Sequence, residues 1–337
     1  MTPLAPYLSA FLREHLPRER GASQHTIASY SHCYRLLLTF AAERYKTRPS
    51  LIAIEDLDAG LICAFLDHLE SERSNTARSR NARLAAIHSL FRFIEYRVPA
   101  CLEQARRIHA IPMKRSAQPL VGYLTRPEMQ ALLAVPDPRT GAGLRDQAML
   151  HLAFAAGLRV SELVGLRLEQ FNDAAMPSLH VIGKGRRERI LPLWQETARI
   201  LRQWTAVRPK TGDPQLFLNA GGRAMTRSGF EYILRKHAAV AATVEPSIGG
   251  KRVTPHVLRH SCAMHTLQAT GDVRKVSLWL GHASVQTTEM YLRADPTEKL
   301  EALTAMGPPT LKRGRFTVPD KLMAMLTETS NGRNNAE

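Results

Sequence analysis

The second half of this 337-residue sequence carries four short signatures in series, each with a side chain suited to phosphate chemistry. Gly157-Leu158-Arg159-Val160-Ser161-Glu162-Leu163 sits at a predicted helix junction, and Lys184 lies in a Gly-Lys-Gly turn. His256-Val257-Leu258-Arg259-His260 comes next, then Leu280-Gly281-His282 and Thr288-Glu289-Met290-Tyr291. His256 and Arg259 stand three apart on a predicted helix, so they share a face. There a guanidinium can grip two phosphate oxygens as a fork while an imidazole donates one more hydrogen bond. Arg159 would supply a second guanidinium, and two such cations can balance the charge that builds on a five-coordinate phosphorus. A lysine at a hairpin tip can reach a groove and protonate a leaving 5′-oxygen. The phenol of Tyr291 can attack phosphorus and later depart. Its ordinary pKa is about 10, so it needs cationic neighbours to ionise.

Taken singly, each signature has a plainer reading. An Arg after a Gly is usually a surface residue, a Gly-Lys-Gly turn usually only a turn, and a buried tyrosine usually a core aromatic with its hydroxyl satisfied. His256 and His260, at i and i+4, also have the spacing of a zinc helix. No Glu follows the first His, and Arg259 between them would repel a cation, so no metal is expected.

These side chains need elements to hold them. Gly157 has the position of a residue ending a helix that runs from Leu144 to Ala156. Ser178–Leu193 reads as two short β-runs around glycines, a hairpin with Lys184 at its tip. Beyond it the sequence is mostly helical to Met306. Upstream, Thr125 and Glu128 form a capping box that opens a helix through Leu133. Before that, Ile111–Pro127 is rich in proline, lacks periodicity and carries Lys114, Arg115 and Arg126, so it reads as a basic linker. The domain boundary is placed near residue 118, with an N-terminal domain over 1–112, linker over 113–124, second domain over 125–307 and tail over 308–337.

The N-terminal domain reads as all-helical. Ile27, Tyr30, Tyr34, Leu37, Leu38 and Ala41 form one apolar stripe, Leu57, Leu61, Ala64, Phe65 and Leu69 a second, and Leu84, Ile87, Leu90, Phe91 and Ile94 a third. The opposite face of the last helix is almost purely positive, with Arg73, Arg78, Arg80, Arg83 and Arg92. Such a face repels itself unless an anion covers it.

Composition agrees. Forty-six Lys and Arg against 30 Asp and Glu give a net charge of +16, which favours a polyanionic partner, nucleic acid above all. A membrane is disfavoured, since no run of 18 apolar residues is present. The start of the chain lacks a signal-peptide pattern, which points to an intracellular protein. Cys33, Cys63, Cys101 and Cys262 are far apart and form no C-x-x-C pair, so they are expected reduced and packed as small hydrophobes. The last residues, 330–337, are expected to be disordered.

The combination of signatures resembles the tyrosine recombinase family of the phage-integrase type. That family shows G-x-R-x-x-E-L, a hairpin Lys, H-x-L-R-H, L-G-H and a Tyr nine residues beyond that last His. Arg159, Lys184, His256, Arg259, His282 and Tyr291 match position by position, and the likeness covers roughly residues 120–306. Leu292 stands where the family often has Thr. The resemblance implies a fold that is mostly α with a small β-sheet: an all-α core-binding domain and an α+β catalytic domain clamped on duplex DNA. It implies strand exchange through a 3′-phosphotyrosine on Tyr291, with neither metal nor cofactor. Arg159 and Arg259 hold the phosphate, His256 and His282 bond it, Lys184 protonates the leaving oxygen, and Glu162 either orients Arg159 or forms a structural salt bridge. Arg80, Arg83, Lys114, Arg115, Arg186, Arg187 and Arg189 are then expected to contact DNA.

Members act as tetramers on two paired sites, so a homotetramer or a mixed tetramer with related recombinases is expected, acting in a bacterial cytoplasm on nucleoid DNA. A C-terminal helix, 296–306 or 319–327, either docks on a neighbouring subunit or packs on its own domain. A mobile-element integrase or transposase is the favoured reading. A DNA-binding relative unable to cut, or a type IB-like DNA-relaxing enzyme, are the alternatives.

Overall fold

Helix caps and apolar stripes set out the N-terminal unit in a computed structural model, which describes residues 1–116, 120–183, 185, 187–282 and 284–295. The chain divides into two units between Pro119 and Leu120. In the first, α1 (Leu4–Ala10) runs on into a wider π-helical stretch, Phe11–Glu19. Then come α2 (Gln24–Tyr45), α3 (Ala59–Ser71), α4 (Ala77–Glu95) and α5 (Leu102–His109). Ser23, Asp58 and Thr76 cap α2, α3 and α4 by accepting the backbone N–H groups of Thr26, Leu61 and Ser79. The three stripes meet: Tyr34, Leu37, Leu61, Phe65, Leu84, Leu90 and Ile94 are buried together with Phe11 and Leu16. The Tyr34 hydroxyl donates to the Ala86 carbonyl at 2.8 Å, which satisfies the one polar atom of that ring.

The arginines on α4 and just before it do not form one uniform face. Arg73, Arg78 and Arg92 are exposed, and Arg83 is half-buried with Nη1 donating to the Ser29 carbonyl. Arg80, expected on DNA, turns inward and is 5% exposed. Its Nη1 donates to the Pro112 carbonyl at 2.9 Å and to Asn81 Oδ1, with the Glu70 carboxylate 3.9 Å from Nε. A guanidinium buried at that point is stable because carbonyl and carboxylate oxygens take the place of water. Lys114 is exposed and its Nζ pairs with Glu70 at 2.6 Å, while Arg115 is exposed.

The second unit opens with an extended strap. Leu124 is fully buried and its N–H donates to Ser261 Oγ at 2.8 Å, while Val121 and Tyr123 pack beside the Cys262–Tyr291 cluster. The C-terminal end of the stretch expected to be linker therefore belongs to this unit. The capping box at Thr125 and Glu128 forms as its residues dictate and starts α6 (Arg126–Ala134). α7 (Gly141–Ala155), α8 (Val160–Gly165), α9 (Gln195–Val207), α10 (Arg227–Val244), α11 (Pro255–Thr270), α12 (Val273–Leu280) and α13 (Glu289–Ala294) follow.

Between α8 and α9 lies a three-stranded antiparallel sheet in the order β1 (Phe171–Asn172), β2 (Ser178–Ile182), β3 (Glu188–Pro192). The hairpin was legible; β1 was not. In its register Leu179 faces Leu191 and Val181 faces Arg189. Period-two alternation thus turns Leu179, Val181, Arg189 and Leu191 to the core side. Ile182 and Ile190, apolar residues of the same two strands, stand outside at 50% and 72% exposure. The protein is therefore mostly helical with one small sheet. Cys33, Cys101 and Cys262 are buried, and Cys63 is exposed. No helix among the described residues is long and apolar enough to cross a membrane. The expected helices at 296–306 and 319–327 and the tail at 330–337 fall outside the described residues.

Candidate active site

Gly157 is where the site begins. It leaves α7 with φ +55°, a left-handed conformation natural to glycine. A Cβ there would come within 2.6 Å of Leu280 Cδ2 and 3.0 Å of Cys262 Sγ. The turn it makes buries Leu158 and brings Arg159 to the first position before α8. Glu162, one turn into α8, folds back: Oε2 accepts the Arg159 N–H at 3.0 Å and Oε1 accepts Arg159 Nη1 at 2.8 Å. Arg189 reaches the same carboxylate from β3, with Nη2 on Oε2 at 2.9 Å. Burial pushes the Glu162 carboxyl up, but the hydrogen bonds and charge of Arg189, then those of Arg159, outweigh it and hold the group below the usual carboxylate range. Glu162 therefore both braces Arg159 and forms a structural salt bridge with Arg189.

Arg189 is thus corrected from an expected DNA contact to an internal one: its side chain is only 10% exposed. The strand alternation that points Leu191 inward points Arg189 inward too, and Glu162 meets it there. It also lies under the next turn, where a Cβ on Gly281 would come within 3.1 Å of Arg189 Cδ and Nη1. Arg187 is exposed at the hairpin, where its carbonyl accepts the Gly183 N–H. Lys184 and Arg186 fall outside the described residues.

Thr254 caps α11 and Pro255 occupies its first turn, which sets His256, Arg259 and His260 on one helix. Arg259 is 4% exposed. Its Nη1 donates to the Gly157 carbonyl and its Nη2 to the Leu280 carbonyl at 2.8 Å. Each carbonyl lies two residues before another site residue, Arg159 and His282. One guanidinium thereby ties together the two turns that present them. Burial, then the charge of Arg159, lowers the Arg259 guanidinium to about 10, so it remains a cation at neutral pH.

α12 ends at Gly281 with φ +63°, and His282 follows. His282 Nδ1 lies 2.8 Å from the buried Thr288 Oγ1. Burial first, and then Arg259, Arg159 and Arg189, lowers this imidazole to about 4, so it is neutral in the free protein. α13 then carries Tyr291 inward to 1% exposure. Burial pushes the phenol up to about 12 although Arg259 and Arg159 pull it down. The nucleophile expected from the sequence is thus near its cations but still protonated.

The Tyr291 hydroxyl meets His260 Nδ1 at 2.9 Å, with the rings 5.6 Å apart edge to face. His260 is lowered to about 4 by burial, then by the charges of His256 and Arg259. His256 is exposed, its ring 6.4 Å from that of His260. The sequence reading gave His260 no part in the chemistry. Its signal was present: a buried tyrosine must bond its hydroxyl, and the i, i+4 partner of His256 faces the same way. With Nδ1 engaged by Tyr291, the zinc-helix spacing is put to another use. Among the described residues no group of three or more His, Cys, Asp or Glu is placed to hold a metal.

Arg159, His256, Arg259, His282 and Tyr291 are accordingly drawn from four separate helices and turns into one neighbourhood. The guanidiniums of Arg159 and Arg189 bond the buried carboxylate of Glu162, and Arg259 adds a third positive charge that feels both Arg159 and Glu162. Such a cluster is short of negative charge, which a phosphate would supply.

The phage integrase family matches residues 122–298, and the N-terminal SAM-like domain of phage integrases matches residues 8–97. The chain belongs to the phage integrase family. It is 45% identical over 324 residues to the Sinorhizobium fredii protein named for an integrase/recombinase, y4rC, covering 96% of this chain and 97% of that one. It is 33% identical over 292 residues to tyrosine recombinase XerC of Pelobacter propionicus, covering 86% of this chain and 91% of that one. In fold it is similar to the Tn1549 transposon integrase in complex with transposon right end DNA, with a TM-score of 0.66 and 14% identity over 90% of this chain and all of that one. The family match contains Arg159, His256, Arg259, His282 and Tyr291 as well as Lys184.

Proposed function

We propose that this protein is a site-specific DNA recombinase of a mobile element, cutting and rejoining strands through a 3′-phosphotyrosine on Tyr291. The observation that carries the reading is a buried Tyr291 within reach of the positive charges of Arg259 and Arg159, which also act on His282. Tyr291 attacks the scissile phosphate and releases a 5′-hydroxyl; the 5′-hydroxyl of a partner strand reverses the step. The ester keeps the bond energy, so no external energy source is needed. Arg159 and Arg259 hold the phosphate and balance its rising charge. His256 and His282 donate hydrogen bonds to it, and Lys184 protonates the leaving oxygen. This division of labour assigns to arginines the charge stabilisation that a metal ion supplies elsewhere. A DNA-binding relative unable to cut would have no use for a tyrosine set beside those cations.

Residues 1–112 act as the core-binding domain, the stretch from 113 to the boundary at Pro119 as the linker, and the unit from Leu120 to about residue 307 as the catalytic domain. The exposed Lys114, Arg115 and Arg187, with the half-buried Arg83 and with Arg186, neutralise phosphates of double-stranded DNA, so affinity falls steeply with salt. The active assembly is a tetramer on two sites, of this chain alone or mixed with related recombinases, working in the cytoplasm on the nucleoid.

The test is a nicked suicide duplex built from DNA flanking the gene. The wild type accumulates a covalent adduct on it and Tyr291→Phe does not. An adduct with Tyr291→Phe sinks the assignment. Relaxation of a supercoiled plasmid without joining of two sites would favour the DNA-relaxing enzyme instead.

A further inference from the structure

We propose that His260 is a catalytic residue: it takes the phenolic proton from Tyr291 as the tyrosine attacks, and returns it when the tyrosine leaves. The inference rests on the recombinase reading and adds to it the missing proton acceptor, since none of the roles assigned above removes a proton from the nucleophile. Three features carry it. His260 Nδ1 stands 2.9 Å from the Tyr291 oxygen, the distance at which a proton can pass. The pair is enclosed, with Tyr291 at 1% exposure, so bulk water has little access to the phenol. His260 lies on α11 one residue from Arg259, so the base and that guanidinium are fixed by one rigid helix.

The groups facing His260 are His256 and Arg259 on its own helix, Tyr291 on α13, and His282 from the turn after α12. Burial first, and then the charges of His256 and Arg259, keep the imidazole neutral and therefore able to accept. With the phenol at about 12 and the imidazole at about 4, the proton rests on oxygen until phosphorus is in reach. Transfer is then concerted with attack. The O–H bond breaks as the O–P bond forms, and Nδ1 gains the proton. The bond from phosphorus to the 5′-oxygen breaks, and that oxygen takes its proton from the separate acid assigned to Lys184. In rejoining, the departing phenolate recovers its proton from Nδ1. An anionic phosphate in the pocket favours the transient imidazolium.

The experiment is single-turnover cleavage of the nicked duplex by the full chain between pH 6 and 9. Wild type, His260→Phe and His260→Gln are compared, with Trp fluorescence and DNA binding confirming that each variant folds. Gln keeps a hydrogen-bond acceptor for the phenol but has no basicity. Expected are a nearly flat profile for wild type and losses on the order of 10²- to 10³-fold for both variants near neutral pH. The variant rates should climb about tenfold per pH unit, as hydroxide replaces the base. A 5′-bridging phosphorothiolate, whose leaving group needs no proton, should not rescue either variant. The proposal is overturned if His260→Phe cleaves within about threefold of wild type with a flat profile, if it cleaves faster, or if His260→Gln restores the wild-type rate. Should His260→Phe fail to fold, His260→Gln alone decides by its profile. Failure of the wild type to form any adduct would instead count against the recombinase reading.

Discussion

Arg189→Met tests the internal half of the site. The substitution keeps most of the side-chain volume and removes the guanidinium that bonds Glu162 at 2.9 Å and 3.4 Å. Glu162 has a side-chain exposure of 4%, so water cannot replace what is lost. Breaking a buried ion pair by deleting one partner costs about 3–5 kcal/mol. Arg159 still bonds the carboxylate at 2.8 Å, which places the cost at the lower end, about 3 kcal/mol. The assay is urea unfolding followed by tryptophan fluorescence. Trp194, Trp204 and Trp279 are the three tryptophans of the sequence and all belong to the second unit, so the signal reports on that unit alone. With a denaturant slope of about 2 kcal/mol per molar urea, the midpoint should fall by about 1.5 M. In the double-mutant cycle with Glu162→Gln, a coupling of about 1–3 kcal/mol is expected. A midpoint shift under about 0.3 M, or strict additivity in the cycle, would refute the claim that Arg189 works inside the fold.

Gly157→Ala should cost about 2–4 kcal/mol by the same tryptophan-monitored assay, from the left-handed backbone and the contacts its Cβ would make with Leu280 and Cys262. Arg80→Ala should lower the melting temperature of the N-terminal unit by circular dichroism while leaving the salt slope of DNA binding unchanged. Arg83→Ala should instead reduce that slope by about one. His260 and His282 have folded values near 4, below the unfolded value of about 6.5, so the unfolded chain takes up protons first. Their contribution is complete above about pH 6.5 and declines as pH falls towards 4. The urea midpoint of the second unit should drop between pH 6.5 and 5, and less steeply in His260→Phe; a midpoint constant over that window contradicts the buried, neutral histidines.

Much of this molecule was settled by local rules. Stripes at helical spacing buried Tyr34, Leu61 and Leu90, the Thr125–Glu128 box started a helix, and glycines between β-runs made a hairpin, because each depends on residues within a few positions of one another. The site residues were legible for a related reason: phosphate chemistry requires particular side chains, and their order along the chain survives any folding. What sequence spacing could not decide was direction and partnership. Arg80 and Arg189 look like Arg83 and Arg187 in composition, yet Glu70 and Glu162, distant in sequence or on another element, draw the first two inward. Ile190 is as apolar as Leu191, and only the register of β3 on β2 says which faces the core. His260 had no evident task until α13 brought a buried hydroxyl to its ring. Periodicity and chemistry are properties of the chain, but which charge meets which is fixed only where elements far apart in sequence pack and exclude water.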